Sequence, residues 1–380
     1  MRDSIIRPAA IHRAAILLAL SASGCDWFDG TDAARGPPRC DNTVACCNYA
    51  GSQSTPGDAG ILPPDPGGPS PDGATPVVLA ISNLYYGDTD RDGSPNSIAW
   101  KQYGLNIDGK TTTGTSTDTC TLYEGASRCA MTDGENGIDN SFGENLLPIL
   151  VTTFGSAMSQ RGNAALQAGD PTTLVRLDQL GTGADYSPLP GAVYHAASAV
   201  APKWDGTDVR DVDIASLAGG SLASPTLTLS GYMNGRTWVG TPPAGATLFE
   251  LHLALGGHPA PAIPVQHVQI AMLVDPGNGT ASGGVLSGIM AQSDLLAWAQ
   301  YVAGTVSTSL CSASAFQSIA QQLLQASDIM MDGTNEPAEA CNGISFGIGF
   351  DATAVTLGQV VTLPPVPDPC SDGGVEGGDE

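Results

Sequence analysis

Alternating apolar and polar residues mark the clearest strands in the second half of the chain. In TLFELHLAL, residues 247–255, the large apolar side chains fall on one face, while Glu250 and His252 fall on the other. VQHVQIAMLV, residues 265–274, alternates in the same way and has His267 on its polar face. A period of two with one apolar face is typical of strands that are buried on one side. These segments predict neighbouring strands of an antiparallel sheet.

Other segments extend this pattern along the chain. VVLAISNLYY, from Val77, is rich in β-branched and aromatic residues and predicts the first strand of the folded part. Further strands are predicted at 98–108, 172–180, 192–200, 283–291 and 343–361, the fourth of them after a DPGNG hairpin turn at 275–279. In the last strand Ser345, Gly347 and Gly349 share one face. Such small residues let another backbone layer approach closely.

Capping residues and helical spacing of apolar residues predict two or three helices. The expected segments are 141–159, 294–302 and the stripe around Phe316 to Leu323, with candidate N-caps at Asn140 or Ser141, at Ser293, and at Ser312 or Ser314. The fold class expected from all elements is mainly β with helices (α+β). The expected architecture is an antiparallel β-sandwich-like domain with two or three helices, which follows a disordered N-terminal tether.

The N-terminus carries the features of an export signal. Residues 1–13 contain three arginines, and residues 14–23 form an apolar run that is too short to span a bilayer. The run ends in Ala-Ser-Gly-Cys, which resembles the bacterial lipobox, whose cysteine is lipidated and becomes the mature N-terminus. Cys25 is therefore the predicted lipidation site. Cleavage by a general signal peptidase, with Cys25 in a disulfide, is the alternative.

Composition divides the chain into four parts. The predicted parts are a lipoprotein signal peptide at 1–24, a Pro/Gly-rich tether at 25–76, a β-rich globular domain at 77–362 and an acidic disordered tail at 363–380. With 38 acidic against 14 basic residues, the formal net charge is −24. A nucleic acid meets a repelling surface, so it is excluded as a partner.

Two acidic loops predict a hard-cation site. In GDTDRDGSPN, three carboxylates at alternate positions precede a glycine, as in the first half of an EF-hand loop, but Ala99 stands where the closing glutamate is expected. The second loop, DGENGIDN, supplies candidate closing ligands. The predicted ligands of one or two Ca²⁺ sites are Asp88, Asp90, Asp92, Asn96, Asp133, Glu135 and Asp139. The alternative is that these residues only form solvated turns.

The cysteine count supports both export and lipidation. Nine cysteines are an odd number, and assigning Cys25 to a lipid leaves an even set of eight. That set is Cys40, Cys46, Cys47, Cys120, Cys129, Cys311, Cys341 and Cys370. Proximity in sequence favours the pairs Cys120–Cys129 and Cys311–Cys341, and leaves the other four to share two bonds.

Motifs for catalysis are weak. GISFG at 343–347 matches the G-x-S-x-G string, but the alternation continues past Ser345, whereas a nucleophile elbow needs a helix there. His252 and His267 lie on the polar faces of neighbouring strands, but a histidine pair without a third ligand is weak evidence for a metal. A non-enzymatic module is therefore favoured over an enzyme.

Taken together, the lipobox-like start, the tether and the GDTDRDG, DGENGIDNSFG and ISFGIGF strings resemble uncharacterised bacterial cell-envelope lipoproteins. The resemblance implies a protein anchored by lipid to the outer or inner membrane on the extracytoplasmic side, with no assigned activity. We expect a structural or ligand-binding envelope module, stabilised by calcium, whose partners are the membrane and a cell-surface glycan or envelope protein. The alternative is a secreted-side hydrolase of glycans that uses acidic-loop carboxylates.

Overall fold

The computed structural model describes residues 55–56, 62–73, 75–123, 126, 128–154, 157–246, 248–253 and 260–371. The strands are β1 Thr55–Pro56, β2 Val77–Tyr85, β3 Lys110–Thr111, β4 Thr173–Leu177, β5 Gly191–His195, β6 Val209–Asp213, β7 Leu227–Asn234, β8 Thr237–Thr241, β9 Phe249–Leu251, β10 Ile263–Asp275, β11 Thr280–Ala291 and β12 Gly343–Val361. The helices are α1 Leu147–Phe154, α2 Met158–Ala168, α3 Gln292–Val306 and α4 Ala313–Gln325. The predictions for Cys25, Cys40, Cys46 and Cys47 lie outside the described residues.

Eight strands form a closed antiparallel β-barrel. Their order is β11–β10–β8–β7–β5–β4–β2–β12, and β12 pairs back onto β11 from Thr280↔Thr353 to Ala291↔Gly343. The protein is mostly β, as predicted, but the predicted sandwich is wrong. A period of two is the same in a sandwich and in a barrel, because it reports only that one face of each strand is buried. Strand β9 extends the sheet on β10, and β6 runs parallel to the end of β12.

The barrel interior is filled by alternate side chains from all eight strands, among them Leu79, Val193, Met233 and Phe346. Its largest fully buried side chain is Trp238, whose Nε1 donates to the Leu189 carbonyl at 3.0 Å. Glycines on β5, β7 and β8 make room for this indole, because a Cβ at Gly240 would lie 2.2 Å from the ring. Packing of this part of the barrel interior therefore depends on small residues around one large side chain.

A long excursion between β2 and α1 covers the outer face of β11 and β12. The segment predicted as a strand at 98–108 belongs to it and instead forms a short 3₁₀ turn at Ala99–Gln102 followed by irregular chain. Its backbone lies directly on β12, since a Cβ at Gly347 would meet the Tyr103 carbonyl at 2.3 Å. The predicted close approach of a backbone layer to this face of β12 is confirmed.

Helices pack at one end of the barrel, where β2, β5 and β11 finish and β10 and β12 begin. This end is called the helical end below. The described residues form four short helices rather than two or three, because the predicted segment 141–159 is divided into a π turn, α1 and the start of α2. Ser312 caps α4 as predicted, accepting from the Ala315 N–H.

In the described part of the chain, two disulfides cross-link distant segments, Cys120–Cys341 and Cys311–Cys370. The predicted pairings of Cys120 with Cys129 and of Cys311 with Cys341 are wrong. Cys341 N donates to the Thr121 carbonyl at 2.9 Å, so backbone pairing between remote segments places Cys341 beside Cys120. Proximity in sequence was therefore a poor guide to proximity in space.

Candidate metal centre at the end of the barrel

The first acidic loop uses its carboxylates to hold local structure. Asp88 accepts hydrogen bonds from the backbone N–H groups of Met158 and Ser159 and from the Ser159 hydroxyl, so it caps the N-terminus of α2. Asp92 accepts from Ser94 N at 2.9 Å within its own turn. In the same loop, Asn96 Nδ2 donates to Asp90 Oδ1 at 2.8 Å. Helix capping and hydrogen bonds within the turn account for the acidic residues of this loop.

The second acidic loop is tied to the chain around residues 106–112. Asp139 Oδ2 accepts from Ile107 N at 2.6 Å, and Asp133 Oδ2 accepts from Thr112 N. Glu135 stays exposed and accepts from Gln102 Nε2 at 3.3 Å. These bonds fold the excursion onto itself rather than leaving its oxygens to a shared ion.

Burial near like charges raises the pKa values of the buried carboxyls in this region. Desolvation raises the pKa of Asp133 to about 8, and the charges of Asp108, Asp328 and Glu144 act in the same direction. Burial likewise raises the pKa of Asp139 well above its usual value. Asp328, which lies shortly after the end of α4, has its pKa raised by burial to about 7, although hydrogen bonds from Ser345 oppose the rise. The buried carboxyls favour their neutral forms.

Within the described chain, no three of the predicted calcium ligands bring carboxylate oxygens within 4.8 Å of one another. The structure gathers Asp133 and Asp139 near Asp108 and Asp328, which were not predicted, while Asp88 caps the N-terminus of α2. Calcium binding by the acidic loops therefore stays a prediction.

A different group of ligand side chains meets at the helical end of the barrel. His195 is the last residue of β5, and Glu250 lies on β9 with His252 just beyond it. Phe249 and Leu251 of β9 are buried, so the alternation turns Glu250 and His252 to the opposite, accessible face. Pairing of β9 with the start of β10 carries these two residues to the end of the barrel where β5 stops.

The three side chains are close enough to share an ion. One ligand atom from each of His195, Glu250 and His252 lies within 4.8 Å of the other two. His195 Nε2 is 3.9 Å from Glu250 Oε2, and the two imidazole centroids are 4.3 Å apart. A tetrahedral ion with bonds of about 2.1 Å separates its ligand atoms by about 3.4 Å. The 3.9 Å between His195 Nε2 and Glu250 Oε2 exceeds this spacing by about 0.5 Å.

Burial disfavours the charged form of both imidazoles. Burial lowers the pKa of His195 to about 3, and His252 acts in the same direction. Burial also lowers the pKa of His252, against the nearby charge of Asp213, and His252 is the more exposed of the two. A neutral imidazole is the form that binds metals.

Sequence reasoning found part of this group. It placed Glu250 and His252 on one polar face, but it paired His252 with His267. His267 lies in a bulge of β10, with φ of 51°, and is not part of the group. The missing partner, His195, lies more than fifty residues earlier on a strand that no local pattern connects to β9.

Comparison with known proteins adds nothing to this geometry. No protein-family model, curated protein or solved structure matches the chain. Among the described helices, none combines the length and the apolar character needed to cross a bilayer. The case for a function therefore depends on the residues of this chain.

Proposed function

We propose that this chain is an extracytoplasmic, lipid-anchored β-barrel protein of the cell envelope that binds a divalent transition-metal ion through His195, Glu250 and His252. The observation that supports the proposal is the spacing of the three ligand atoms, each within 4.8 Å of the others. Two imidazoles and one carboxylate suit Zn²⁺ and its first-row neighbours better than Ca²⁺, which prefers oxygen ligands only.

Three protein ligands leave coordination positions for water or for a ligand atom of a partner. Glu250 and His252 are exposed, so an ion there is reachable from solvent. The site thus suits binding of a metal with an open position. The alternative of a glycan hydrolase gains no support from the first acidic loop, because Asp88, Asp90 and Asp92 accept hydrogen bonds that hold the local fold.

The envelope location is supported by two independent features. The N-terminus has a lipobox-like sequence ending in Cys25, and the folded part contains the disulfides Cys120–Cys341 and Cys311–Cys370. Disulfides persist in oxidising compartments outside the cytoplasm.

Detergent phase partitioning of the wild-type chain and Cys25→Ser tests the anchor. We expect the wild type in the detergent phase and the variant in the aqueous phase, and equal release of both would refute lipidation.

Metal binding is tested by calorimetric titration of Zn²⁺ into the full-length chain. Each of His195→Ala, Glu250→Gln and His252→Ala removes a ligand, so we expect each to weaken Zn²⁺ binding by at least about 100-fold. The matched controls are His267→Ala on β10 and Glu339→Gln, both outside the group. We expect the controls to bind as the wild type does. The proposal fails if the wild type does not bind Zn²⁺, or if His267→Ala weakens binding as much as His195→Ala.

A further inference from the structure

Strand β6 ends beside His195 of the metal group. Beyond the point where β7 stops pairing with β5, the edge of β5 is taken by β6, and Ala196 forms an antiparallel bridge with Val212. The next backbone hydrogen bond between the two strands, of 2.8 Å, has the same register. In this register Asp213, the last residue of β6, falls directly opposite His195.

The side chain of Asp213 lies on the same face as that of His195. Opposite residues of an antiparallel pair share a face, and their Cβ atoms are about 4.5–5.5 Å apart. Val212 and Ala196 are buried together on the other face, as the alternation requires. The charge of Asp213 also acts on the imidazole of His252. Asp213 is therefore a carboxylate close to two of the three proposed ligands.

The two carboxylate oxygens of Asp213 differ in what they bind. Oδ1 accepts from Ala215 N at 3.2 Å and caps the short 3₁₀ turn Ile214–Ser216. Among the described residues, no group donates a hydrogen bond to Oδ2. Asp213 is not one of the residues whose ligand atoms meet within 4.8 Å. A carboxylate oxygen that is near a metal site, but outside its set of ligands, suits a hydrogen bond from a water molecule on the ion.

We infer that Asp213 is a positioning residue of the metal centre, and that its Oδ2 accepts a hydrogen bond from a water molecule bound to the ion. The inference rests on the proposed binding of a metal by His195, Glu250 and His252, which leaves a coordination position for that water. Glu250 and Asp213 carry one negative charge each, so together they balance a divalent ion. This balance matters because the side chain of His195 is only 13% exposed, and an uncompensated charge is costly there.

Replacement of Asp213 by asparagine tests the inference with little change of shape. In Asp213→Asn the amide oxygen still accepts from Ala215 N, while an NH₂ donor replaces the acceptor Oδ2. We expect the variant to bind Zn²⁺ about 10- to 100-fold more weakly than the wild type in calorimetric titration of the full-length chain. We expect its urea unfolding midpoint without metal to be unchanged, since the cap of the turn is kept.

Asp211→Asn is the matched control. It removes the same charge from the same strand, at a carboxylate whose Oδ1 accepts from Gln359 N at 2.8 Å, a bond that asparagine can keep. We expect this variant to bind Zn²⁺ as the wild type does. An equal loss of affinity in both variants would show that only the net charge of β6 matters, and the inference would be wrong.

Cobalt supplies a readout that a purely structural role would not move. Co²⁺ binds the same nitrogen and oxygen ligands as Zn²⁺, and its visible absorption depends on which atoms are bound. We expect Asp213→Asn saturated with Co²⁺ to keep the wild-type spectrum, because the water stays on the ion, and His195→Ala to change it. A changed spectrum in Asp213→Asn would make Asp213 a direct ligand and would overturn its role through water.

Failure of this inference differs from failure of the proposed function. If the wild type binds Zn²⁺ and Asp213→Asn binds it equally well, the role of Asp213 is refuted and the metal centre stands. If the wild type binds no Zn²⁺, the metal centre is refuted and the role of Asp213 with it.

Discussion

The acidic loops and the group of His195, Glu250 and His252 both collect metal-ligand side chains, but their surroundings differ. Asp88 and Asp139 accept hydrogen bonds from backbone N–H groups, whereas no hydrogen bond to the three side chains of the group is found among the described residues. In the loops the oxygens already stabilise the fold. At the helical end of the barrel, the ligand atoms of the three side chains make no hydrogen bond within the described chain and are available to an ion. A run of acidic residues in the sequence is therefore weaker evidence for a metal site than three ligand side chains that meet in the folded chain.

Burial also acts in opposite directions in the two regions. It raises the pKa of Asp133 to about 8, and it lowers the pKa of His195 to about 3. In both cases removal from water penalises the charged form. Burial therefore favours the neutral forms of both Asp133 and His195. A neutral imidazole can bind a metal ion directly, whereas a protonated carboxyl must first lose its proton.

The largest expected effect on stability comes from removing the disulfide that holds the acidic region. Cys120–Cys341 cross-links positions 221 residues apart and ties the acidic excursion to the start of β12. By the chain-entropy estimate, its loss through Cys120→Ala with Cys341→Ala costs about 5 kcal/mol of unfolding free energy. Urea unfolding measures the loss, and the matched control is removal of Cys311–Cys370, with a separation of 59 and an expected cost of about 4 kcal/mol.

The same double variant also tests whether the regions are independent. Because the group of His195, Glu250 and His252 lies on β5 and β9, we expect its affinity for Zn²⁺ to be unchanged in the variant under conditions where the chain is folded. A parallel loss of Zn²⁺ affinity would show that the excursion supports the metal centre, and the contrast between the regions would fail.

The next effect is stabilisation by the metal. An ion that binds only the folded state at 100 times its Kd stabilises the protein by about 2.7 kcal/mol. We expect this increase with Zn²⁺ for the wild type and none for His195→Ala, measured by urea unfolding. Calcium provides the comparison, and we expect no increase with it, because no three of the predicted acidic ligands meet in the described chain. Stabilisation by Ca²⁺ that persists in His195→Ala would restore the predicted loop site.

The sequence predicted the strands better than their arrangement. The bounds predicted for the last strand, 343–361, are those of β12, and the hairpin turn at 275–279 separates β10 from β11. Closure of the barrel was not predictable, because it depends on pairing between β11 and β12, which are separated by two helices. The predicted strand at 98–108 failed because Trp100, Tyr103 and Leu105 bury their side chains from an irregular segment that lies on the barrel wall.

The candidate site shows the same limit. Glu250 and His252 were visible as one polar face, since two positions on one strand need only a period of two. His195 joins them only through the order of strands in the closed sheet, which no local pattern encodes. Local sequence therefore identifies the faces of strands, and long-range topology decides which faces meet.

A smaller effect concerns pH and the buried acids. The pKa of Asp328 is about 7 in the folded protein and about 4 when unfolded, so between these values the folded state binds the additional proton. Stability falls as pH rises through this window, by up to about 1.4 kcal/mol per pH unit for one group. We expect Asp328→Asn to flatten the decline in unfolding free energy measured from pH 4 to 7.

Asp332 supplies the control for this titration. Hydrogen bonds from Thr334 lower its pKa, which is the opposite direction, so Asp332→Asn should leave the slope between pH 5 and 7 unchanged. An unaltered slope in Asp328→Asn would mean that this carboxyl is ionised in the folded protein, and that burial does not protonate the acidic region.

The smallest effect distinguishes capping from ion binding at the first acidic loop. Asp88 caps α2, so Asp88→Ala should cost about 1 kcal/mol of unfolding free energy, because two N–H groups of the first helical turn lose their acceptor. Asp92 holds only Ser94 in its own exposed turn, and Asp92→Ala should stay within about 0.5 kcal/mol of the wild type. A shared calcium site predicts a different pattern, in which both variants lose the same amount of stability and only when Ca²⁺ is present. Equal losses that appear only with Ca²⁺ would therefore show that the carboxylates leave their local hydrogen bonds to bind the ion, while unequal losses without Ca²⁺ identify the loop as a helix cap.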